Sequence, residues 1–219
     1  RYEPNGAVWV ECDCNITSGE SMIRQFLWGQ RFTDKYFGYR SDAFWLPDTF
    51  GYSASIPQIM KGCGVDYFLT TKINWNDSNA FPYNTFYWQG IDGTKVFSHF
   101  NTTHTWPDVK ELRDALTDSD RRKDQPTVTN KRLVAYGYGD GGGGPQFEMI
   151  ETARRCEDLC DVPKTYQTSV SDFMKDLEST CVNPNTYRGE LYLELHRGTL
   201  TNQHEIKYNN RKAELALRD

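Results

Sequence analysis

The 219-residue chain has no run approaching the roughly 20 consecutive apolar residues that a membrane-spanning helix needs, and its mean hydropathy is −0.73. No membrane contact is expected of it. Basic charge is not in excess either: 25 Lys and Arg stand against 30 Asp and Glu, a net charge of −5. That balance excludes the clustered positive charge by which a protein grips nucleic acid. Cysteine is sparse for the length. The six, Cys12, Cys14, Cys63, Cys156, Cys160 and Cys181, include no C-x-x-C pair, so neither a zinc knuckle nor a disulfide scaffold is indicated, and reduced, mostly buried thiols are expected. Cys156 and Cys160, four apart, read as one face of a helix. The four histidines, His99, His104, His196 and His204, show neither H-x-H nor H-x-x-x-H spacing and give no metal site by themselves. Low complexity is confined to one glycine run, which argues against disorder.

Aromatic residues are abundant, with 6 Trp, 13 Tyr and 12 Phe. Rings stack on sugar faces, so a polar chain this aromatic suits a carbohydrate site, although composition alone favours a core of large side chains. The length fits one domain, or one domain and part of another. Along the chain, Ala7-Val8-Trp9-Val10 reads as a strand. A helix follows after Ser18, carrying Met22, Ile23, Phe26 and Leu27. Ala43-Phe44-Trp45-Leu46 is a second strand, Ile56 to Lys61 a short helix, and Val65 to Thr70 a third strand. Phe86 to Gln89 and Lys95 to Phe100 flank Gly90-Ile91-Asp92-Gly93 as a hairpin. Helices are expected after Pro107 (Val109, Leu112, Leu116), over Phe147, Ile150 and Leu159, over Ser171 to Glu178, and at Ile206, Ala213 and Leu217. Leu133 to Tyr138 is a strand, Leu191 to Leu195 an apolar run, and Asp118 to Lys123 a solvated loop. Alternating strands and helices predict an α/β fold with a largely parallel sheet or barrel.

Two carboxylates stand out. Asp48 follows an apolar strand directly, in Trp45-Leu46-Pro47-Asp48-Thr49-Phe50-Gly51-Tyr52, and ligands bind at the carboxyl ends of strands in parallel α/β folds. The competing reading is an Asp that merely caps the turn. Asp140 lies in Gly139-Asp140-Gly141-Gly142-Gly143-Gly144-Pro145. Gly137 to Gly142 satisfies the G-x-G-x-x-G pattern of dinucleotide-binding oxidoreductases. However, a carboxylate inside that loop would repel a pyrophosphate, and the extra glycines suit close approach of other groups to the acid. Two carboxylates at strand ends are the minimum equipment for glycoside hydrolysis. Glu11 and Asp13, two apart, would share a strand face, either supporting the site or, more simply, solvated. Among the histidines, His196 in Glu194-Leu195-His196-Arg197-Gly198 is best placed for a polar contact near a site, while His99 and His204 read as structural or surface residues.

The runs Trp45 to Ala54, Gly139 to Pro145 and Gly189 to Thr199, with Arg1-Tyr2-Glu3-Pro4-Asn5-Gly6 and Trp9-Val10-Glu11, resemble the α-mannosidases of glycoside hydrolase family 38, in their cytosolic, vacuolar and bacterial branch. The resemblance covers the chain in order. It implies a partial seven-stranded-type (β/α) barrel over residues 1–189, running into a helical middle domain from 190 to 219. It implies a retaining, exo-acting, zinc-dependent hydrolase of mannose-containing glycans or oligosaccharides, cytoplasmic and homo-oligomeric at full length. Asp48 takes the nucleophile position and ligates the zinc, and Asp140 takes the acid/base position. Phe50, Lys72, Trp75 and Tyr138 line the sugar site. The family's other zinc ligands, a His-x-Asp pair and a later His-Asp histidine, do not occur here and are expected before Arg1 and beyond Asp219. The segment alone is therefore expected to bind zinc poorly and to turn over little substrate. A dinucleotide-dependent oxidoreductase and a non-catalytic mannoside-binding module are the alternatives.

Overall fold

The computed structural model describes residues 2–117, 123, 127–140 and 142–218. Most of the solvated loop expected at Asp118 to Lys123 lies outside them. The elements are α1 (Gly19–Phe37), β1 (Ala43–Trp45), α2 (Ile56–Gly62), β2 (Tyr67–Thr70), β3 (Thr85–Gln89), β4 (Lys95–Phe100), β5 (Thr102–Thr105), α3 (Val109–Thr117), β6 (Val134–Tyr136), α4 (Phe147–Arg155), α5 (Val170–Thr180), β7 (Asn185–Arg188) and α6 (His204–Ala216), with short 3-10 turns at Lys72–Trp75 and Arg197–Leu200.

Five strands form one sheet in the order β1-β2-β4-β3-β7. β1, β2 and β4 run parallel, β3 returns antiparallel to β4, and β7 lies parallel to β3. β5 continues from β4 after Asn101 and pairs in parallel with β6. The fold is thus α/β with a parallel-dominated sheet. Both faces of the sheet are covered, which is why the four residues of β2 are all buried and read as an unbroken apolar run. One face packs Phe44, Phe68, Phe86 and Trp88 against Met22 and Phe26 of α1 and Ile56 and Met60 of α2. The other packs Ala43, Tyr67, Leu69 and Phe97 against Val170, Phe173, Met174 and Leu177 of α5.

Local chemistry sets the element ends. The Ser18 hydroxyl accepts from the Ser21 amide to start α1, and Gly38, at φ 61°, ends it while donating to Asp34 O. The strand expected at Ala7 to Val10 does not form. The Trp9 amide bonds Gln25 O and the Val10 amide bonds Gln25 Oε1, so α1 takes the donors that a neighbouring strand would have used. The crossing is tight enough that a Cβ on Gly29 would lie 2.4 Å from Val8 C.

All six cysteines are free; Cys12, Cys14 and Cys156 are buried and Cys160 is exposed. Cys156 and Cys160 do not share a helix face, because α4 stops at Arg155 and Cys156 is its cap. β5 and β7 were not legible as strands. The apolar run Leu191 to Leu195 is no strand but a strap, tied by one antiparallel bridge between Leu191 and Tyr52. His196 follows that strap in a left-handed turn at φ 54°, not at a strand end. The last helix, α6, buries none of its residues.

Candidate active site

The carboxyl ends of β1 and β2 are stitched together below Asp48. Tyr52, fully buried, returns its hydroxyl to within 2.9 Å of both Leu46 O and Thr70 Oγ1, and Thr70 Oγ1 donates to Leu46 O at 3.0 Å. Burial pushes the Tyr52 phenol well above its ordinary range, so it stays a neutral hydrogen-bonding group. This triangle fixes both ends of the turn Pro47 to Gly51. Gly51 is needed where it stands: its φ is 118°, and a Cβ there would sit 3.1 Å from Asn15 Nδ2 and 3.3 Å from Leu191 O.

Asp48 is held at both its backbone and its side chain. Its amide donates to Glu11 Oε1 at 2.7 Å, and its Oδ1 lies 3.1 Å from Lys72 Nζ. Lys72 is itself buried, and its ammonium sits 3.4 Å from the centre of the Trp75 ring, a cation–π contact that substitutes for lost hydration. The carboxylate is close to half exposed, so it is oriented and reachable. Glu11 is therefore more than part of a solvated face. Its partner in that expectation, Asp13, instead accepts from the amides of Asn15 and Ile16 and serves its own turn. Phe50, half-buried, stands with its ring centre 4.6 Å from that of His196.

The glycine loop is organised differently. β6 delivers Tyr138 and Asp140, both exposed, at its carboxyl end. The amides of Tyr138 and Gly144 bond each other's carbonyls at 2.8 and 3.0 Å, and the Gly142 amide bonds Gly139 O at 2.7 Å. Three of the loop's amides are thus turned inward on its own carbonyls and are not offered to a pyrophosphate. The structure thus gathers Asp48, Lys72 and Trp75 into one contact set and Phe50 with His196 into another beside it. Asp140 and Tyr138 come from a separate sheet. An apolar cavity of about 230 Å³, walled by Leu112, Leu133, Tyr136, Ala153 and Phe173 among others, contains none of the six candidate residues and has no carboxylate in its lining.

His99 is a structural residue, as its sequence context indicated. It is buried and its Nε2 accepts from the Leu133 amide at 3.3 Å, so Nδ1 carries the proton toward Thr85 Oγ1 at 3.1 Å. Burial, aided by the Arg132 charge, pushes its pKa down to about 3.

A family model described as "Glycosyl hydrolases family 38 N-terminal domain" matches residues 1–192. The chain belongs to glycosyl hydrolase family 38. Alpha-mannosidase G of Dictyostelium discoideum is 44% identical to this family 38 chain over 217 residues, 99% of the chain and 20% of that protein. Alpha-mannosidase 2C1 of Homo sapiens is 42% identical over 219 residues, 100% of the chain and 21% of that protein. An alpha-mannosidase of Saccharomyces cerevisiae is 42% identical over 223 residues, 98% of the chain and 20% of that protein. The chain therefore spans about a fifth of the length of the curated relatives it matches. Among solved structures, an alpha-mannosidase from Enterococcus faecalis V583 superposes with a TM-score of 0.65 at 21% identity, over 85% of this chain and 22% of that one. At that identity the likeness bears on the fold.

A zinc ion finds few partners in this family 38 segment. Among the described residues no three His, Cys, Asp or Glu side chains come together as a metal site, and Asp48 directs one oxygen to Lys72. The segment alone does not fit a four-ligand zinc centre. Among the described residues, no helix is long and apolar enough to cross a membrane.

Proposed function

We propose that the enzyme to which this segment belongs hydrolyses α-mannosides at the non-reducing ends of mannose-containing glycans or oligosaccharides, with retention of configuration. The observation that carries the reading is Asp48: a half-exposed carboxylate at a strand's carboxyl end, with its backbone capped by Glu11 and its charge set by Lys72. The match to proteins named alpha-mannosidases extends over the chain, this motif included. Asp48 attacks the anomeric carbon, forming an ester as the bond to the leaving oxygen breaks, and Asp140 gives that oxygen its proton. Asp140 then takes a proton from water, which attacks the same carbon and releases Asp48. Phe50, Trp75 and Tyr138 supply rings for the sugar, and Lys72 keeps Asp48 aimed.

On this reading Asp48 is this segment's contribution to a zinc site whose other ligands lie elsewhere in the polypeptide. Residues 1–189 form part of the catalytic α/β unit, the strap after Gly189 packs on it, and α6 opens the helical domain. The full-length enzyme works in the cytoplasm as a homo-oligomer. The test uses full-length enzyme and an aryl α-mannoside. Asp48→Asn should lower kcat by about a thousandfold or more while the circular dichroism spectrum stays unchanged. Near-normal turnover in that variant removes Asp48 from the nucleophile role.

A further inference from the structure

The segment between Gly189 and the 3-10 turn at Arg197 has no secondary structure of its own, yet it is tied down along its length. At its start, Leu191 exchanges both backbone bonds with Tyr52, at 2.8 and 3.0 Å, and Leu191 and Leu193 are buried in the same core as Tyr52. In the middle, the Glu194 carboxylate accepts from the amides of Ser78 and Asn79, and the Glu194 amide donates to Asn76 Oδ1 at 2.9 Å. Those residues follow directly on the turn that carries Lys72 and Trp75. At its end, His196 takes a left-handed conformation at φ 54°, uncommon outside Gly but one that His, like Asn and Asp, adopts more readily than most side chains. Its carbonyl accepts from both the amide and the hydroxyl of Thr199, which holds the turn. The outcome is an imidazole set against the Phe50 ring at 4.6 Å, tilted by 56°.

We propose that His196 is a positioning residue of this active site: through the Phe50 ring it holds the turn that presents Asp48. Phe50 is two residues from Asp48. On its far side that turn is fixed by the Tyr52 hydroxyl, and on its near side by Glu11; half-buried Phe50 packs with one side on the core and with another on the exposed His196 ring. Remove the imidazole and the ring gains a side to move into, carrying the Pro47 to Gly51 backbone with it. A displacement of about 1 Å at a reacting group costs up to about a hundredfold in rate. The loss should therefore fall mainly on kcat, with a smaller rise in KM.

The inference rests on the mannosidase reading, and the experiment separates the two. In full-length enzyme, His196→Asn keeps a residue that tolerates the left-handed turn but removes the ring, whereas His196→Phe keeps a ring. With an aryl α-mannoside, His196→Asn should lose about tenfold or more in kcat and His196→Phe should recover most of it. Because His196 acts through Phe50, His196→Asn should add little to Phe50→Ala in a double-mutant cycle. A crystal structure of His196→Asn should show Phe50 displaced. Wild-type kcat in His196→Asn, an equal loss in His196→Phe, full additivity with Phe50→Ala, or an unmoved Phe50 would each overturn the proposal. Asp48→Asn measured alongside reports on the reading itself. If it keeps turnover, the nucleophile assignment fails, and the crystal structure of His196→Asn still decides whether His196 holds the turn.

Discussion

The turn carrying Asp48 and the loop carrying Asp140 leave the carboxyl ends of their strands with very different support. The first is held by groups from three distant parts of the chain: Glu11, the stretch with Thr70 and Lys72, and Leu191. The second is closed mainly by backbone bonds between its own residues, Tyr138 to Gly144 and Gly142 to Gly139. The nucleophile role proposed for Asp48 needs a carboxylate aimed before substrate arrives, and these contacts aim it. The acid role proposed for Asp140 needs a carboxylate that meets a leaving group whose position depends on the whole substrate, and this one stands exposed on a glycine-rich loop. The contrast teaches that orientation of Asp48 rests on contacts remote in sequence, whereas the shape of the glycine loop rests largely on its own backbone.

The sharpest way to test that contrast is Asp140→Ala in the full-length enzyme. Mannosides with poor leaving groups should slow by about a hundredfold to ten-thousandfold, and activated aryl mannosides much less in the glycosylation step, because they need little protonation. Equal loss on both would reduce Asp140 to a loop-shaping residue. Next in size, Lys72→Met leaves Asp48 without its cation and Trp75 without its charge partner. We expect kcat/KM to fall by about tenfold to a hundredfold, the scale of a lost charge-assisted contact; an unchanged value would show that the ion pair is incidental.

A matched pair probes the unequal support more directly. Tyr52→Phe removes one corner of a buried hydroxyl triangle and should cost about 1–2 kcal/mol in a denaturant titration. Tyr138→Phe, on an exposed ring, should be close to neutral in the same titration. Comparable losses would erase the difference between the two regions.

The last effect is invisible at neutral pH. His99 joins the regions, since it reaches Thr85 in the large sheet and the Leu133 amide just before β6. Its folded pKa, about 3, lies below the ordinary 6.5. The unfolded chain therefore binds a proton that the folded chain refuses. Stability is fully present above about pH 6.5 and is lost as pH falls toward 3, by up to about 1.4 kcal/mol per pH unit from this group. His99→Gln should flatten that slope in urea titrations across pH 4 to 7; an unaltered slope would assign it to other groups.

How far the sequence is readable depends on what each feature rests on. α1 announces itself because Ser18, Met22, Phe26 and Gly38 carry cap, stripe and stop within one segment. The β3–β4 hairpin is likewise legible, because its turn residues are contiguous. β7 is not, since Asn185-Thr186-Tyr187-Arg188 is polar and mostly exposed and becomes a strand only by pairing with β3. Val8 and Trp9 mislead in the opposite sense: apolar enough for a strand, they are claimed by a helix. Asp48 could be singled out from its place after an apolar strand. The roles of Glu11 and of the Tyr52 hydroxyl could not, because each depends on a partner that no local spacing reveals. Lys72 came from family resemblance, and the structure adds that it touches Asp48.

The clamp between Glu194 and Asn79 joins residues 115 positions apart, and the Leu191–Tyr52 bridge spans still more of the chain. During synthesis the chain emerges from its amino end, so Asp48, Lys72 and Trp75 are all outside the ribosome long before the strap exists. The helices and the hairpin can form early from neighbours in sequence, but contacts this remote come late, because closing so long a loop must precede any gain from it. The turn carrying Asp48 is therefore among the last parts of the segment to set. A ribosome stalled before residue 190 should carry a nascent chain with much of its secondary structure and an unfinished Asp48 turn.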